Sequence, residues 1–133
     1  MNKSEIQKLK NEIKTKQEEF KNYCHEQFKL GAKELFEQNS ELKSFGFKGY
    51  VPYFNDEDEC TYSAHIDYPD INGESGYDIE YDEDKKEFVS LQEKVKDFLQ
   101  NFDDEFYQSV FGSHAKVTVT EKNIKVEEYT RHD

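Results

Sequence analysis

No run of about 18 apolar residues occurs anywhere in this chain, so nothing in it reads as a membrane-spanning helix, and Met1 to Lys10 lacks the apolar stretch of a secretory signal. Cysteine is scarce: Cys24 and Cys60 are the two present, too few for a disulfide framework, and they read as reduced thiols of a cytoplasmic protein. Arginine is scarcer still, with Arg131 alone, and lysine concentrates in the N-terminal helix, which weighs against the Arg or Lys cluster that an anionic ligand calls for without removing that class. The recurrent catalytic signatures are missing as well. There is no glycine-rich phosphate loop, no G-x-S-x-G elbow and no H-E-x-x-H, so the sequence points to a protein that is not an enzyme and carries no cofactor.

What is abundant is negative charge, and it is unevenly placed. The whole chain of 133 residues carries a net charge of −12. Residues 1–48 hold ten Lys against eight Glu, whereas residues 56–87 hold 13 carboxylates against only Lys85 and Lys86, a local charge of −11. Such a surface repels phosphate, so the expected partner is neither nucleic acid nor a membrane but a protein with a basic face. Aromatic residues reach 15% and suit a core of Phe and Tyr, large enough in a chain of this length to fold as one domain over residues 1–133.

The hydrophobic pattern changes period along the chain. From Ser4 to about Phe36 it is helical: Ser4 with Gln7 resembles a capping box, and Ile6, Leu9, Ile13, Phe20, Tyr23 and Leu30 follow 3-4 spacing, interrupted by Lys16 and Gln27. Packing on the chain's own domain and pairing as a coiled coil both fit that stripe. A helix of some 33 residues spans roughly 50 Å, more than the diameter near 36 Å expected of a 133-residue domain. Residues 1–36 are therefore expected to protrude or dimerise. Ile6, Leu9 and Ile13 would be the dimerising residues of a homo-oligomer, with a fold-back near Gly31 as the alternative for a monomer.

Further on, Phe45–Phe54 and Cys60–Tyr68 read as a hairpin with an acidic tip at residues 55–59, and Pro52 argues for an edge or a bulge in the first strand. Pro69–Gly76 reads as a loop and Tyr77–Tyr81 as a short strand. Residues 84–111 contain a second helix, with Phe88, Leu91, Val95, Phe98, Leu99, Phe102, Phe106 and Val110 as its stripe, Ser90 with Glu93 as a possible start and Gly112 as its stop. Lys116–Thr120 and Ile124–Tyr129 form a second hairpin. The expected fold class is α+β: a long N-terminal helix and an antiparallel sheet of about four strands in two hairpins, covered by a second helix.

Two stretches, G-Y-V-P-Y-F-N-D-E-D-E-C from Gly49 to Cys60 and F-G-S-H-A-K-V-T-V-T-E-K-N-I-K-V-E-E-Y from Phe111 to Tyr129, resemble a group of small phage-encoded proteins of unassigned function. In that group a helix precedes an aromatic-Pro-Tyr-Phe-Asn-Asp turn, and an acidic helix runs into Phe-Gly-x-His and a terminal hairpin. The resemblance covers about half the chain, and a Gly expected in the turn is replaced near Glu57. It implies a phage or prophage origin and action in the cytoplasm of the host cell, and supplies no mechanism.

The oxygen-rich segment Asn55–Glu59 lacks the spacing of an EF-hand loop, and neither Cys24–His25 nor Cys60–His65 has zinc-ligand spacing, so no metal site is assigned. The candidate partner-binding residues are Tyr50, Tyr53, Asp56, Asp58, Tyr62, Asp78, Tyr81, Asp82 and Asp84, tyrosines rimmed by carboxylates as at many protein interfaces. The function they suggest is binding and inhibition of a host defence or nucleic-acid-processing protein, in its sharpest form by mimicry of DNA. An oligomeric binder of a nucleotide or divalent cation is the alternative, and a merely solubilising acidic surface stays open beside both.

Overall fold

The computed structural model describes residues 2–51 and 61–129. Helix α1, Lys3–Gln38, is followed by strands β1, Ser44–Tyr50, and β2, Ser63–Ile71. Helix α2, Gly76–Tyr81, leads through a 3₁₀ turn, Glu83–Phe88, into α3, Val89–Leu99, and α4, Asp104–Phe111. Strands β3, Ala115–Thr120, and β4, Ile124–Glu128, complete the order. The fold class is α+β: one antiparallel sheet in the order β2-β1-β3-β4, built from two hairpins, with a long first helix and further helices packed on it.

Alternation along the strands separates the two faces of that sheet. Phe45 and Phe47 of β1 and Ala115, Val117 and Val119 of β3 are buried against the helices. Lys48, Lys116 and Thr118, one position out of step, take the opposite face. The core centres on Phe28, fully buried, with the rings of Phe98, Phe102, Phe106, Phe111 and Tyr107 between 5.3 and 6.3 Å from it.

Helix α1 begins two residues earlier than the Ser4 capping box suggests. Asn2 is the cap, its side-chain oxygen accepting from Glu5 N at 2.9 Å, and Asn serves this role as well as Ser does. No fold-back occurs at Gly31. The helix runs through it, and the missing side chain leaves room for the Phe98 ring, whose Cε1 would lie 2.4 Å from a Cβ there. The helix docks through Phe28, Ala32 and Phe36, while every residue from Asn2 to Tyr23 is exposed.

The expected second helix is broken in two. At its break Asp103 accepts from Phe106 N at 2.9 Å and starts α4 afresh, after α3 has ended at Leu99. The restart rotates the apolar face so that Tyr107, absent from the expected stripe, is fully buried and Val110 only partly so. The Tyr107 hydroxyl donates to Leu99 O, one of the carbonyls that the end of α3 leaves without an intrahelical partner. Phe88, not Ser90, precedes α3, and no side chain caps it, because the 3₁₀ turn feeds the helix directly. Gly112, at φ 102°, stops α4 as expected.

Between Pro69 and Gly76 two expectations change. Strand β2 extends through Pro69 to Ile71, and the pairing jumps from Gly46↔Asp70 to Lys48↔His65, so residues 66–69 bulge opposite Phe47. A proline is tolerated there because β2 is an edge strand. Pro52 and the hairpin tip at residues 55–59 lie outside the described residues. Tyr77–Tyr81 is helical rather than extended: Gly76 and Ile79 are buried three residues apart, and a Cβ on Gly76 would stand 1.8 Å from Tyr68 O.

Candidate functional site

The turn that presents the acidic segment is built by Asn72 and Gly73, both at positive φ (52° and 84°), closed by hydrogen bonds in both directions between Ile71 and Glu74. Asn72 also ties this turn to the start of the sheet. Its Oδ1 accepts from Lys43 N at 2.6 Å and Ser44 N at 3.1 Å, and its Nδ2 donates to Glu41 O at 2.9 Å. Asp70 Oδ1 accepts from Gly76 N at 2.8 Å and fixes the first residue of α2. Gln92 of α3, buried, donates from Nε2 to Pro69 O and to Gly76 O, each at 3.1 Å, and so bolts β2 and α2 to the helix beneath them.

On this frame stand Tyr68, Tyr77 and Tyr81, 53%, 68% and 67% exposed, with the rings of Tyr77 and Tyr81 4.6 Å apart. Residues 67–87 carry nine carboxylates and two lysines, net −7. Lys85 is engaged with Glu74, and that hydrogen bond, with the nearby charges of Glu74, Asp82 and Asp78, raises its pKa against the opposing effect of desolvation. Asp82 caps the 3₁₀ turn, accepting from Asp84 N at 2.9 Å. Asp78, Tyr81, Asp82 and Asp84 therefore lie together along α2 and the turn that follows it.

The other sequence candidates lie elsewhere. Tyr50 stacks on His65 at 4.4 Å and meets Tyr129 at 5.5 Å, while Lys48 Nζ stands 5.1 Å over the Tyr129 ring. This group occupies the sheet face turned away from the helices. Tyr62 is half-buried over Gly49, where it fills the space a Cβ would need. Burial first, and then the Asp104 carboxylate, push its pKa up to about 12. Tyr107 is raised by the same main cause, with Tyr62, Asp104 and Asp103 adding to it. Asp104 also accepts from Ala64 N at 3.0 Å, joining α4 to β2. Tyr53, Asp56 and Asp58 lie outside the described residues, as does the cation question at residues 55–59.

Three features escaped the sequence reading. Asn72-Gly73 is the dipeptide that most favours a tight turn between strands, and its signal was there to be read. Gln92, one polar residue beside an apolar stripe, gives no signal of its burial. A groove of about 500 Å³ between α1 and the β3–β4 hairpin has Ala32, Phe111, Ile124 and Val126 in its lining, with Lys29, Lys33 and Lys122 against the single carboxylate of Glu121. His25 lines it too, its pKa lowered by burial and by Lys29, with Glu26 opposing. Those three lysines come from a helix and a distant turn, which only the fold brings together.

Among the described residues no group of three or more His, Cys, Asp or Glu is placed to hold a metal ion, and no helix is long and apolar enough to cross a membrane. Cys24 carries a free thiol. Compared with family models, curated proteins and solved structures, the chain matches none.

Proposed function

We propose that this is a non-enzymatic interaction protein whose acidic tyrosine surface, centred on Tyr77, Tyr81, Asp78 and Asp82, binds a basic face of another protein and blocks it. The observation that carries this reading is the exposure of three tyrosines amid nine carboxylates, on a turn and helix held from below by Asn72 and Gln92. Tyrosine supplies contact area at little conformational cost, and the carboxylates steer a basic partner and select against acidic ones. A preorganised frame lowers what binding must spend on ordering. Resemblance to small phage-encoded proteins makes the partner a host protein, and a nucleic-acid-processing or defence enzyme has the basic groove that such a surface suits. Affinity capture from bacterial lysate tests it. Wild type should retain a protein that 0.5 M salt releases and that a Tyr77→Ser, Tyr81→Ser, Asp78→Asn, Asp82→Asn variant does not hold. Equal recovery by both rules the surface out.

A second reading, binding of a small anionic ligand, is favoured by the lysine-lined groove over Ala32 and Val126. A thermal-shift screen with nucleotides checks it, since bound ligand raises the melting temperature. No shift at millimolar nucleotide removes this reading.

A further inference from the structure

Helix α1 has two apolar faces, and the fold uses one. Phe28, Ala32 and Phe36 enter the core. Ile6, Leu9, Ile13, Phe20, Tyr23 and Leu30 form a second stripe, 41% to 70% exposed, that lies roughly 140° round the helix from the first at 100° per residue. The stripe follows a heptad: Ile6, Ile13, Phe20 and Gln27 repeat every seven residues, and Leu9, Lys16, Tyr23 and Leu30 fall three after them. Six of eight such positions are apolar across four heptads, a length of roughly 36 Å, and a helix of about 20 exposed residues gains little stability by itself in water.

We infer that α1 pairs with α1 of a second copy of this chain as a parallel coiled coil along the seam from Ile6 to Leu30. Charge at the flanking positions selects both the occupant and its direction. Glu5, Glu12, Glu19 and Glu26 all precede the Ile6-type positions, and Lys10, Gln17, Cys24 and Gly31 follow the Leu9-type positions, so across a parallel pair Glu5 and Lys10 form the one oppositely charged pair and no like-charged pair arises. In a parallel pair Glu5 faces Lys10 of the other copy and Glu12 faces Gln17. In an antiparallel pair the four glutamates face the same four glutamates, which the like charges oppose. Lys16 is four residues from Glu12 and three from Glu19, within reach of a counter-charge. The Gln27 layer, polar on both copies, favours the aligned register, because any slip sets it against an apolar side chain.

Sedimentation of the full chain at micromolar concentration tests the pairing, and the expected mass is that of two chains. Ile13→Asp, which buries an unpaired charge twice per dimer, should raise the dissociation constant by at least about a hundredfold. Ile13 is exposed in the single chain, so the near-ultraviolet signal of the aromatic core should stay unchanged in that variant. Direction is read from Ile6→Cys in a Cys24→Ser, Cys60→Ser background. A parallel pair brings the two Cys within disulfide range, and mild oxidation should lock the dimer. An antiparallel pair sets them roughly 36 Å apart. A wild-type mass of one chain or of three or more, a dimer unmoved by Ile13→Asp, or a dimer that Ile6→Cys fails to lock overturns the inference.

Discussion

Replacing Gln92 with Leu keeps the side chain's approximate volume and removes both hydrogen bonds, from Nε2 to Pro69 O and to Gly76 O, that tie α2 and β2 to α3. Pro69 and Gly76 are themselves buried, so neither carbonyl gains water in exchange. Two neutral hydrogen bonds to buried acceptors are worth about 1 kcal/mol each, and up to about twice that for an acceptor that keeps no second partner. The expected loss is therefore about 2 to 4 kcal/mol, a large part of the stability of a domain this size. Urea denaturation gives the loss from the shift in midpoint at unchanged slope. Amide exchange adds the location: Tyr77 to Asp82 should lose protection before the β1–β3 ladder does, because the bonds removed hold α2. A loss below 0.5 kcal/mol, or exchange that rises uniformly, would refute the idea that Gln92 is the bolt under the tyrosine surface.

Other substitutions and conditions test the rest of the frame. Phe28→Ala removes the ring that five other aromatic rings surround and should cost about 3 to 5 kcal/mol, measured by thermal or urea unfolding. Alkaline pH should weaken the fold through Tyr62 and Tyr107. Their folded pKa values are raised, so the stability they contribute is complete below about pH 10, where the unfolded phenols titrate, and declines above it, for Tyr62 as pH rises through about 12 and for Tyr107 across a still more alkaline range. Tyr62 is only half-buried and contributes at most about 1 kcal/mol at pH 11. Unfolding midpoints at pH 9 and pH 11, compared between wild type and Tyr62→Phe, should show the smaller drop in the variant.

How much of this was legible depended on whether one local pattern could decide. The β3–β4 hairpin was legible because Val117 and Val119 alternate and Glu121, Lys122 and Asn123 sit between the strands. The helical stripe from Phe88 to Val110 was legible as apolar, yet its break was not: spacings of three and four across Phe98, Leu99, Phe102 and Phe106 suit a continuous helix and an interrupted one alike. What separates them is the Asp103 side chain capping a new start, a choice made by tertiary packing. Tyr77–Tyr81 spans five residues, too few for either period to show, and Gly76 under Tyr68 O set it as a helix through a contact distant from the segment's own sequence. The acidic tyrosine composition was plain, but its arrangement was not. Composition grouped Tyr50 and Tyr62 with Tyr81, whereas the fold turns Tyr50 to the outer sheet face and tucks Tyr62 over Gly49.

Hydrogen exchange on this chain, alone and with a captured basic partner bound, tests the central claim most directly. Slowed exchange confined to residues 67–88, and strongest in Tyr77 to Asp82, is the predicted footprint. Protection that instead falls on β3, β4 and the outer sheet face around Tyr50 and Tyr129, with residues 76–88 exchanging as in the free protein, would contradict it.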